Sequence, residues 1–240
     1  MAQYDTIRSV GAGTRSAVID EGLRAHMNKV YGLMAIGMAV TGAVAYGVGT
    51  NEVLLQAIFA TPLKWVVIFA PLAVVFAFSA MINRMSVATA QAVFYGFAAL
   101  MGLSISYIFA VYTGISIATT FATTSIAFAG LSLYGYVTKR DLSGFGTFLM
   151  MGVWGLVIAS IINIFLQSSA IQFAVSLLGV LIFAGLTAFD TQRIKNTYLE
   201  MAQSGDQEWL GKSAIMGALT LYLDFLNLFM FLLQFMGNRE

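Results

Sequence analysis

Apolar runs separated by short polar links dominate the chain. Runs at 27–49, 62–82, 88–111, 115–136, 146–166, 171–190 and 213–236 each approach the roughly 20 residues that a helix needs to cross a bilayer. They predict seven transmembrane helices. The links at 50–61 and 191–212 are long and the others short. Pro62 stands where a helix begins, a position proline tolerates, and Pro71 predicts a kink inside the second span. The first 26 residues, MAQYDTIRSVGAGTRSAVIDEGLRAH, are mixed and polar, and lack the basic start, apolar stretch and cleavage site of a secretory signal. They read as a cytoplasmic tail, with Asp20 capping a short helix that leads into the first span. The GAGT cluster at 11–14 follows no strand, so it does not read as a phosphate loop.

Polar positions inside the runs carry more information than the runs themselves. The last span contains LYLDFLNLF, with Asp224 the one charged residue between Ser213 and Gly237. Gly217, Thr220, Asp224, Asn227, Phe231 and Gln234 are spaced three and four apart and fall on one stripe. The sixth span carries a matching stripe: Gln172, Ser176, Gly179, Phe183, Thr187 and Asp190. Polar stripes on membrane helices face protein or water, not lipid. Thr187, Thr220, Asn227 and Gln234 are therefore candidate pore-lining groups. Asp224 lies about 16 Å into its helix at about 1.5 Å per residue, a depth similar to that of Asp190 near the end of its own. Two carboxylates together in a low-dielectric site do not both ionise cheaply, so the pair is expected to share a proton and to respond to pH. Deprotonated, it becomes a hard oxygen site suited to transient Ca²⁺. Arg84, at the end of the second span, is a candidate countercharge.

Composition agrees with a membrane as solvent. Hydrophobic residues make up 59% of the 240 and charged residues 10%, against about 45–50% and about 25% in soluble domains. The net charge of +1 argues against a nucleic-acid partner, and the lack of cysteine removes thiol chemistry and thiolate metal sites. With the N-terminus inside, ten of the twelve Lys and Arg residues fall in cytoplasmic segments and only Lys64 and Arg239 outside. Trp65 and Tyr112 fall where outer interfacial aromatics belong, and Trp209 at the inner interface. Small residues recur four apart, as Ala35, Ala39, Ala43 and Gly47 and as Gly102, Ser106 and Ala110, which predicts close helix packing and no particular function.

Bland readings compete with the functional ones. Asp190 could cap its helix or pair with Arg193 at the surface. Asp224 is harder to treat so, because an ion at the centre of a span costs about 2.5–3.5 kcal/mol even on lenient scales. His26, the single histidine, reads as a solvated tail residue, and Arg140 with Asp141 as a loop pair. No His/Glu metal constellation and no Ser/His/Asp set is visible.

LYLDFLNLF resembles the signature of the transmembrane Bax inhibitor motif family. AFDTQRIKN, at the end of the sixth span, is similar to that family's other aspartate segment. LRAHMNKVYGLMAIGMAVTGAVAY looks like the first span of its bacterial branch. The resemblance runs from about residue 20 to the end, three segments in order. It implies an all-α membrane fold of seven helices with a central last helix wrapped by the other six. It implies a pH-sensitive calcium leak through the cytoplasmic membrane, gated by an aspartate pair that maps to Asp190 and Asp224, with the family's arginine mapping to Arg84. It implies no bound cofactor, Ca²⁺ being the conducted ion. One departure is the stretch NTYLEMAQSGDQEWLGK, longer than expected between the two aspartates.

Other classes fit less well. Related membrane proteins regulate a membrane-bound ATP-dependent protease, and the tail and the 191–212 link are candidate surfaces for such a partner. An intramembrane aspartyl protease needs motifs that AFD and LYLD do not match, and both prolines precede residue 72. A retinal protein needs a lysine in the last span, which has none. A proton-coupled transporter of small molecules is a further class. The expectation is a channel and not an enzyme.

Overall fold

The computed structural model describes residues 2–201 and 206–238, with side chains from residue 19 onward apart from Gln207. The cluster at 11–14, Arg8, Arg15 and Arg239 lie outside the described side chains. The described residues form eight α-helices: α1 (Ala2–Gly49), α2 (Glu52–Phe59), α3 (Leu63–Met81), α4 (Val87–Ile105), α5 (Gly114–Val137), α6 (Ser143–Leu166), α7 (Ser169–Met201) and α8 (Gln207–Met236). Short 3₁₀ turns at Ile82–Arg84 and Ser106–Ala110 finish the second and third spans. All seven predicted spans are present as helices long and apolar enough to cross a membrane.

The boundaries depart from expectation where helix continues beyond apolar sequence. Helix α1 passes straight through Asp20, which therefore caps nothing. Most of the 191–212 link is also helix. Its residues up to Met201 include neither proline nor glycine, the two strong helix breakers, so α7 continues to 33 residues, about 50 Å. That exceeds the roughly 30 Å hydrocarbon thickness, so the end beyond Asp190 projects from it. On the other side of the turn, Asp206 caps α8 by accepting from the Trp209 N–H at 2.9 Å. The 50–61 link contains the short helix α2, capped by Asn51, with Val53 and Leu54 exposed. Asp141 does not pair with Arg140 but closes the turn that leads into α6. The Ser143 side chain and backbone N–H hydrogen-bond its carboxylate, which holds it below the usual carboxylate range.

Hydrophobic burial does not drive helices together in lipid, so shape decides which faces meet. Of the two small-residue rows predicted to pack, that of α4 does: a Cβ at Gly102 would meet the Thr41 carbonyl oxygen at 2.5 Å. The α1 row does not. Ala35, Ala39, Ala43 and Gly47 are exposed, and the buried row is Gly37, Thr41, Ala45 and Gly49, two residues along. At its middle, the Thr41 hydroxyl donates to backbone carbonyls, 2.8 Å from that of Ala98, and accepts from Tyr222 at 2.6 Å. The edges of Phe94 and Phe97 close on the Tyr222 ring. This joint fixes α1, α4 and α8 together.

Helix α8 is the most buried span. Its principal neighbours are α7, α1, α5 and α4, while α3 packs mainly on α4, and α6 on α7. Tyr112, expected in an interfacial belt, is buried under the end of α8 at Gly237. Trp65 is exposed as expected, with the Lys64 ammonium over its ring.

Candidate functional site

Helices α7 and α8 run antiparallel with their two stripes facing. Ser176 donates to Gln234 Oε1 at 3.4 Å. Phe183 and Phe231 stack at 5.7 Å, and Phe231 fills the notch left by Gly179, where a Cβ would lie 2.5 Å from its ring. Further along, Asp190 and Asp224 bring their carboxyls within hydrogen-bonding reach, and Ile194 packs on Gly217. The spacings read from the sequence produce this register: small residues admit large ones across the seam, and the two acids meet.

Both acids are buried, Asp190 at 6% and Asp224 at 4% exposure. One oxygen of each, Asp190 Oδ1 and Asp224 Oδ2, is buried and accepts no hydrogen bond, Asp190 Oδ1 lying instead in an ion pair. Ionised carboxylates only accept, so a hydrogen bond between the two requires a proton on one. The cation beside the pair is Arg193, whose guanidinium lies 3.3 Å from Asp190 Oδ1 and is 61% exposed. Arg84 is exposed and pairs with neither acid. Its 3₁₀ turn leaves it at the end of the second span, whereas Arg193 sits one helical turn after Asp190 on the same helix.

Two cavities flank the pair. One, of about 230 Å³, opens at the end where the basic links gather and is lined by Arg193, Ile194, Met216, Gly217 and Thr220 among others. The other, of about 290 Å³, lies towards the opposite end beside Gln172, Met230 and Gln234. Between them stand the two acids and the Phe183–Phe231 stack. Of the four candidate lining groups, Thr220 and Gln234 line a cavity. Thr187 and Asn227 lie between the cavities, each donating to a carbonyl of its own helix, Phe183 and Leu223 respectively, at 2.8 Å.

A hydroxyl chain supports α7 from the side. Thr191 donates to the Thr187 carbonyl at 2.8 Å, so Ser132 must donate to Thr191 and Tyr31 to Ser132, at 2.9 and 2.6 Å. The chain ties α1, α5 and α7 together beside Asp190. Gln192 bridges to the turn before α6, donating to the Arg140 carbonyl and accepting from the Leu142 N–H. His26 is not solvated: it is 7% exposed and lies against the Tyr198 ring at 4.9 Å. The extension of α7 covers it, and sequence reasoning missed this because it read 191–212 as a loop.

The family described as inhibitor of apoptosis-promoting Bax1 matches residues 23–240. The chain belongs to the Bax inhibitor family. Its family relatives include the Escherichia coli K12 inner membrane protein YbhL, 46% identical over 220 residues that cover 91% of this chain and 94% of that one. A Rickettsia prowazekii protein is 44% identical over 236 residues, 98% and 99% of the two chains. A Caulobacter vibrioides protein is 46% identical over 243 residues, 97% and 96%. The family match and the seven helices make this a multi-pass membrane protein.

Proposed function

We propose that this chain is a pH-sensitive Ca²⁺ leak channel, a conduit and not an enzyme, in which the Asp190–Asp224 pair is the gate. One observation carries the reading: two buried acids face each other across the α7–α8 seam between two cavities, each with an oxygen that accepts no hydrogen bond. With one shared proton the acids hold α7 against α8. Without it, two carboxylates repel in a low-dielectric seam, and the helices part. The freed oxygens then suit a passing Ca²⁺, which takes about 6–8 oxygen ligands. Two carboxylates supply at most four, so water completes the shell and the stay is brief. That the Escherichia coli relative is an inner membrane protein supports a cytoplasmic membrane, and the Lys and Arg distribution supports a cytoplasmic N-terminus. A second reading, regulation of a membrane-bound ATP-dependent protease, has no specific observation in its favour.

The test is Ca²⁺ entry into dye-loaded proteoliposomes from about pH 6 to about pH 8, across which a carboxyl pair sharing a proton can release it. The reading predicts flux that rises with pH. Absent flux from well-reconstituted protein would end it and return weight to the regulatory reading.

Two variants sharpen the reading. Phe231→Ala removes the ring that fills the Gly179 notch, so flux at the acid end is expected to rise severalfold with the pH response retained. Arg193→Gln removes the cation that favours an ionised Asp190. The flux midpoint should move to higher pH, by less than about one unit because the guanidinium is mostly in solvent. Proteoliposome pH titrations check both.

A further inference from the structure

We infer that the groove between α1 and α5 is a binding site for one acyl chain of a bilayer phospholipid. The cavity measures about 870 Å³ and opens on the lipid-facing flank of two membrane spans. Its α1 wall includes Ala35, Ala39 and Ala43 of the row that packs on no helix, with Gly42 beside them; all four are exposed, and a Cβ at Gly42 would meet nothing within 4 Å. Phe121 forms the opposite wall, and Phe225 and Phe229 of α8 the floor, their rings 5.4 and 6.1 Å from Phe121.

The lining chemistry selects the occupant. The hydroxyls of Thr41 and Ser125 are already bonded within the protein and Tyr46 is exposed, so the apolar depth of the groove asks for no polar ligand. No lysine or arginine lines it, so no headgroup charge is selected. A flexible hydrocarbon chain fits, and the bilayer supplies it. The occupant would touch Phe225, the residue after Asp224, and so contact the helix that carries one of the two acids. The inference does not depend on the calcium reading.

The experiment reconstitutes the full chain with phosphatidylcholine or phosphatidylglycerol bearing a photoreactive group in the acyl chain, and maps the adducts. Groove peptides around Ala39, Gly42 and Phe121 should be labelled roughly fivefold more than the exposed face of α6 at Trp154 and Phe165, about 1 kcal/mol of preference, with either headgroup. Gly42→Leu, whose Cβ would meet nothing within 4 Å, projects its side chain into the space and should reduce groove labelling to the α6 level. Gly155→Leu, equally open but on α6, should leave groove labelling unchanged. Should Gly42→Leu fail to fold, Ala39→Phe carries the same expectation. Equal labelling of groove and α6, labelling by the anionic lipid alone, or adducts joining two copies through the groove would each overturn the inference.

Discussion

In Asp224→Asn the rise of Ca²⁺ flux with pH is expected to vanish, leaving flux low from about pH 6 to about pH 8. Asparagine keeps the side-chain volume, so the surrounding core, including Tyr222 and Phe225, has no reason to repack. Its amide donates to Asp190 at any pH, which replaces the titratable contact with a permanent one. The like-charge repulsion that parts α7 from α8 can no longer develop. Asp190→Asn should flatten the response too, but it also leaves Arg193 without its carboxylate. Flux titrations of both variants check this, and a pH response like that of the wild type in both would remove the pair from the gate.

The second large effect is structural. Gly135 of α5 lies against the backbone of α7 at Ala188, and a Cβ there would collide with the Ala188 carbonyl. Backbone on both sides cannot rotate away as a side-chain tip can. Gly135→Val is expected to destabilise the protein by about 1–3 kcal/mol or more, the range of overpacked cores. Ala188 stands two residues before Asp190, so a displaced α7 should also disturb the pH response. Gly130→Val, on the same helix with nothing within 4 Å, is the control and should change neither. Thermal unfolding followed by loss of the monodisperse peak on size exclusion, run for both variants, measures the difference.

The features that could be read from sequence share a physical origin. Apolar length alone identifies a span, because lipid requires about 20 apolar residues whatever the tertiary context. The spacing of Asp224 with Thr220 and Asn227, and of Asp190 with Thr187, fixes a face, and the cost of burying an acid in lipid forces that face towards protein. Hence the meeting of the two stripes was legible.

Other features depended on choices the pattern leaves open. Helix α1 carries two interleaved rows of small residues. Only the one containing Thr41, whose hydroxyl reaches Ala98 and Tyr222, packs; the row with the cleaner spelling borders a groove. The polarity of 191–201 reflects a helix that has left the hydrocarbon, not the absence of a helix, and the burial of His26 under Tyr198 follows from that extension. The countercharge was sought at Arg84 from its place at the end of the second span and from the family resemblance, while Arg193 stood at i+3 from Asp190 on the same helix. That spacing was a signal in the sequence, there assigned to a surface pair.

The claim that one proton holds the gate shut is tested most directly by infrared titration of the protonated-carboxyl stretch in reconstituted protein, run beside the flux assay. Ordinary aspartates and glutamates, near about 4, are ionised by about pH 6, so an acid band that persists there reports an unusual site. The account predicts such a band in the wild type. It should fade over the same pH interval in which flux rises, and should lose that pH response in Asp190→Asn. A wild-type spectrum without the band at about pH 6 would mean that both aspartates are already ionised while the channel is closed, and the pair would have no proton left to release.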